Sequence, residues 1–330
     1  MLDVIKKKSP LLVIFLIGML YSILVFKNPF KSVHYGDVGL MHIQIQDLIA
    51  GGYSSLTLNY RGEQIDPEYK FFPYKKPFVG KLNQNHYFVF PPYFLTINAI
   101  LYETFGTNGL YLISFFAFLL TLYLIYQLGI LFGLENFYIN ISISMYVFGM
   151  TASNYNFVFH ELPFSIFGIT LSIFYALSFI KRQTNLNLVL FGFLGGLSLF
   201  FRLEMIFILF ACGLSILIIL PKHWKEIFKF SIVGFIFPFF TLIILNYQFF
   251  ENFFGLRYTL NISETPSLIG AQRLGIIYDL LFTKKIGLFY QSPFILISIS
   301  FLFYFKRMND PNKLFFPCCN WFLKYLSKSL

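Results

Sequence analysis

The sequence predicts an all-α, polytopic membrane protein with about eight transmembrane helices and a long external first loop. Three observations predict it. The chain is 57% hydrophobic and only 12% charged, whereas a soluble domain carries roughly 25% charged residues. Its apolar residues gather into runs close to the ~20 residues that cross a bilayer. Its net charge of +10 sits in short loops between those runs, where Lys and Arg set membrane orientation, so no nucleic-acid partner is implied.

The runs are, in order, 10–27, 109–131, 137–152, 163–180, 187–201, 204–220, 230–250 and 288–305. The first follows Lys6, Lys7 and Lys8 as in a signal peptide, but no small-residue cleavage site comes after it, so it reads as a retained signal anchor. If the runs alternate, Lys6 to Lys8, Lys181 with Arg182, Lys222 to Lys229, and Lys306 with Arg307 share the cytoplasmic side. Regions 28–108, 153–162 and 251–287 then face outward, together with the turn Phe201 to Glu204. The expected organisation is one transmembrane domain over 1–305 and a cytoplasmic tail over 306–330. Cys212 lies inside an apolar run and Cys318 and Cys319 are adjacent near the end, a pattern without a disulfide framework.

Region 28–108 is too long and polar for a connector, and Pro67, Pro73, Pro77, Pro91 and Pro92 interrupt any continuous helix, so it is expected to fold outside the membrane. Within it, 38–50 spaces Leu40, Met41, Ile45, Leu48 and Ile49 helically with His42, Gln44, Gln46 and Asp47 between them, as in a helix lying in the interface. A second such piece runs from Tyr93 to Phe105; as a further crossing it would invert the later basic loops. Asp37 stands just beyond the first crossing, where a carboxylate is costly unless solvated, paired or used.

The order of these features resembles the GT-C superfamily of integral membrane glycosyltransferases, which includes protein O-mannosyltransferases and the aminoarabinose transferases of lipid A. The resemblance is carried by Gly36-Asp37 and a helix ending Ala50-Gly51-Gly52-Tyr53, by Tyr87 to Tyr93 with its Pro91-Pro92 pair, and by Asn156 to Arg182. It continues in Gly192 to Glu204, Phe254 to Tyr258, and Lys285 to Pro293, covering roughly residues 10–305 in feature order. It implies inverting transfer of a sugar from a polyprenyl-phosphate donor to a glycan, lipid or protein acceptor on the outer face of a bacterial inner membrane. Asp37 matches the position of the general base, and Glu161 that of a second outer acid. The plainer reading of Asp37 is a cap on the helix from Val38.

A lipid phosphate leaving group implies a cation near the outer leaflet. Candidates are Arg257 beside Tyr258, Arg202 beside Glu204, Lys81 and Arg273. The alternative for Arg202 and Glu204 is an ion pair that closes the turn, and for Lys81 simple solvation. His160 with Glu161 reads as an acceptor-orienting pair or as an interfacial pair at a helix start. A divalent ion on Asp37, His34 and Glu161 is the weaker possibility, and no cofactor is expected. The chain stops 37 residues after Pro293, sooner than is common in the superfamily. An inactive, truncated relic of the transferase family, or a transporter or flippase of lipid-linked glycans, is therefore the alternative to an active transferase.

Overall fold

A computed structural model describes residues 2–27, 36–60, 62–68, 70–71, 78–82, 85–88, 90–149 and 155–255, with 275, 278, 282 and 283 as isolated positions. The architecture below is that of the compact unit over 1–263. The expected crossing at 288–305 and the residues His34, Arg257, Tyr258 and Arg273 lie outside the described residues.

The described chain is mostly helical: α1 Leu2–Phe26, α2 Gly36–Ala50, α3 Pro92–Phe105, α4 Thr107–Leu131, α5 Asn136–Gly149, α6 Leu162–Arg182, α7 Asn185–Ser198, α8 Met205–Ile219 and α9 Trp224–Phe250. Among the described residues, four segments are long and apolar enough to cross a membrane: Ser9–Phe26, Thr107–Leu131, Leu162–Arg182 and Pro221–Phe250. The protein is an α-helical membrane protein. Helices α5, α7 and α8 coincide with predicted runs but hold only 14, 14 and 15 residues. At 1.5 Å per residue they reach roughly 21–23 Å, short of the ~30 Å hydrocarbon core.

Contacts between neighbouring helices define two ends of the bundle. At one end the Asn140 amide donates to Ser9 Oγ at 3.3 Å, Lys181 lies over the Phe132 ring, and the Phe179 and His223 rings meet. The basic segments at the starts of α1 and α9 and the end of α6 therefore gather on one side, as alternation requires. At the other end Phe94 stacks on Phe159 and Phe164 meets Phe201 edge-on.

Helices α7 and α9 approach to backbone contact. A Cβ on Gly192 would fall 2.0 Å from the Ser231 carbonyl oxygen, and one on Gly234 would fall 2.0 Å from that of Val189. Only glycine fits at this crossing, in keeping with the packing role that small residues have between membrane helices.

Region 28–108 holds more than two amphipathic helices. Its interior includes an antiparallel hairpin, β1 Val79–Leu82 with β2 Asn85–Phe88, pairing Lys81 with His86. Leu58, Val79 and Phe88 form a small core against Leu40 and Ile43 of α2. On the opposite face of α2, Met41, Ile45 and Leu48 pack on Phe94, Leu95 and Ala99 of α3. Covered on both faces, α2 buries Gln44 and Asp47 as well. This corrects the expectation of a helix with its polar side in water. The Asp47 carboxylate accepts the Asn59 amide at 3.2 Å, so it ties the following loop to the helix.

Candidate functional site

Helix α7 passes into α8 almost without a loop. The amides of Phe201 and Arg202 both donate to the Ser198 carbonyl at 3.2 Å, and the Met205 amide donates to that of Arg202. This tight turn fixes Arg202 at the end of the bundle away from the basic loops. Opposite it, the Pro91-Pro92 pair starts α3, a position where proline's missing N–H costs nothing. Tyr93 then points its hydroxyl at α9 and donates to Asn246 Oδ1 at 2.8 Å, while the Asn246 amide donates to the Phe253 carbonyl at 3.2 Å. Burial pushes the Tyr93 phenol well above its usual pKa, so it stays a neutral donor.

These parts border a cavity of about 370 Å³ between the start of α3, the α7–α8 turn, the first turn of α8 and the C-terminal half of α9. Its walls are mostly aromatic and aliphatic, including Phe90, Phe200, Phe239 and Leu242. Arg202 and Glu204 bring the charge among the described lining residues. Arg202 Nε stands 3.7 Å from Glu204 Oε2, with the side chains 21% and 54% exposed. That separation is an ion pair but exceeds a hydrogen bond. Helix α8 packs chiefly on α6 and touches α9 little, and its Ile206 and Phe207 are exposed. The cavity thus borders an exposed apolar flank.

Of the other candidates, Asp37 is exposed and lies in the first turn of α2, which begins at Gly36. It is inside the helix rather than its cap, and no described residue donates a hydrogen bond to it. Its neighbour Val38 packs on the same cluster as Phe201. Lys81 is exposed on the hairpin, away from the cavity lining. Burial, with Lys81 as the lesser cause, holds the His86 imidazole below its ordinary pKa.

His160 and Glu161 are buried, 7% and 3% exposed, rather than presented to an outer space. The His160 Nδ1 accepts the Leu162 amide at 3.1 Å and lies 3.1 Å from Glu161 Oε2. Ser114 of α4 donates to the His160 carbonyl at 3.0 Å, and the Tyr155 ring lies 4.6 Å from the imidazole. Neither residue lines the cavity. The pair organises the joint between α4 and α6. Among the described residues no group of three His, Cys, Asp or Glu side chains is placed to hold a metal.

Asn246 was not expected at the site. The available signal was an amide inside an otherwise apolar run, which in a membrane helix marks a partner or a cavity. Compared with known families and proteins, the chain matches no family model, no curated protein and no solved structure.

Proposed function

We propose that this protein transfers a sugar from a polyprenyl-phosphate donor to a glycan, lipid or protein acceptor on the outer face of a bacterial inner membrane. The observation that supports it is the cavity at the α7–α8 turn: a mostly apolar slot bordering the exposed apolar flank, with the Arg202 guanidinium at its polar end. Such a slot suits an isoprenoid chain, and a guanidinium suits the phosphate that must leave. In this reaction Asp37 takes the proton from the acceptor hydroxyl. The freed oxygen attacks the anomeric carbon, and the carbon–oxygen bond to phosphate breaks, its electron pair leaving with the lipid phosphate. An exposed carboxylate is reachable from water, as a base for a polar acceptor needs to be. Purified protein given a labelled polyprenyl-phosphate sugar should release the sugar to an acceptor, and release should fail in Arg202→Ala. No cleavage with any of a panel of donor sugars would remove the proposal.

A further inference from the structure

We infer that the first turns of α9 bind an anionic phospholipid of the bilayer, its phosphate held by Lys225 and Lys229 and its acyl chains lying along the helix beyond them. This surface belongs to the basic end of the bundle, away from the cavity, and does not require sugar transfer. Lys222, Lys225 and Lys229 are all exposed. Among the described residues none of them has a carboxylate within ion-pair distance. Lys225 and Lys229 lie instead over the Trp224 and Phe230 rings, which cancel no charge. The two lysines are one turn apart on a single helix face, where like charges repel. Ile232 and Ile236 continue that face, and both are exposed. A helix long and apolar enough to cross a membrane thus carries a lysine pair at the head of an exposed apolar stripe, the order of charge and apolar surface that a phospholipid complements. Trp224 and Phe228 are about half exposed beside the pair and meet edge-on, as aromatic side chains do at headgroup level.

The cations of α6 have an explanation within the protein. Lys181 and Arg182 occupy its last turn, where they answer the negative end of the helix. Lys222 and Lys225 stand at the start of α9, where the helix end is already positive and an anion is missing. The sequence segments assigned to this side carry only Asp3, Glu135, Glu226 and Asp310 as acids, far fewer than their Lys and Arg residues, so the chain itself cannot neutralise them all.

Trp224 reports the site directly, because with Trp321→Phe it is the one tryptophan left in the full-length chain. That protein is placed in vesicles of equal parts dioleoyl phosphatidylglycerol and dioleoyl phosphatidylcholine, with bromine on the acyl chains of one lipid or of the other. Bromine quenches the indole it touches, so the two quenching levels give the relative occupancy beside Trp224. Phosphatidylglycerol should be favoured by about 30-fold, the scale of two lysines attracting one anionic lipid, and the preference should shrink in 1 M salt. Lys225→Gln combined with Lys229→Gln should bring the two lipids close to level, whereas Lys181→Gln combined with Arg182→Gln should leave the preference in place, with circular dichroism reporting that each variant is folded. Equal quenching by the two brominated lipids before any lysine is changed overturns the inference. So does an equal loss of preference in the two double variants, which would make the attraction a diffuse property of the basic end.

Discussion

Asp37 and Arg202 divide the proposed chemistry between an exposed carboxylate and a largely covered cation. Asp37→Asn keeps the shape of the side chain at the start of α2 and removes its basicity. Transfer should fall at least ~100-fold, the usual scale of a lost general base, with expression and thermal midpoint unchanged; full activity would leave Asp37 a helix-end charge only. For the cation, Arg202→Ala should weaken donor binding and Arg202→Lys should restore it in part, because one ammonium cannot make the two-pronged contact. Lys81→Gln should leave donor affinity alone while moving its neighbour. Since burial is the larger cause of the low His86 pKa, the imidazole should rise only part of the way to its usual value, which an NMR titration in detergent follows. The sign for stability is that of a depressed histidine. Its contribution is complete above the unfolded pKa of ~6.5 and is lost as the pH falls toward the folded value. The hairpin should therefore loosen on mild acidification, and less so in Lys81→Gln.

The crossing of α7 and α9 offers the sharpest test among the elements. Gly192→Ala or Gly234→Ala drives a methyl into a backbone carbonyl, and overpacking of this kind costs ~1–3 kcal/mol. Gly213→Ala in α8 meets nothing within 4 Å and should be neutral or stabilising by up to ~1 kcal/mol. Thermal unfolding in detergent compares them, and equal midpoints would mean that α7 and α9 stand farther apart. The helices themselves were legible as apolar runs. The hairpin was not, because its four-residue strands lie among prolines and polar residues where no period of two develops. The burial of Asp47 and His160 was equally hidden. Hydropathy reports how polar a residue is, and only the fold reports that Asn59, Leu162 and Ser114 stand ready to satisfy it.

For the molecule as a whole, orientation is the first question. Single cysteines at Ser54 and Thr184, both exposed, in a background lacking Cys212, Cys318 and Cys319, should label from opposite sides of the membrane; an impermeant reagent reaching both in sealed cells would break the alternation. That the basic segments at the starts of α1 and α9 and the end of α6 share one end of the bundle was readable from charge placement. The cavity was less so, since Tyr93 and Asn246 are 153 residues apart and no local pattern reports a contact of that range. What was visible were its fragments, the Pro91-Pro92 pair and the Arg202–Glu204 turn. The uneven support of its walls carries a consequence. Helices α6, α7 and α9 form a tightly packed block, while α8 leans chiefly on α6. Arg202 is held by its own amide to Ser198, on the side of the block. A sideways tilt of α8 would widen the slot without shifting the guanidinium. Ligands of different girth should then share one grip on their phosphate, so that affinity follows the headgroup and varies little with the thickness or length of the tail.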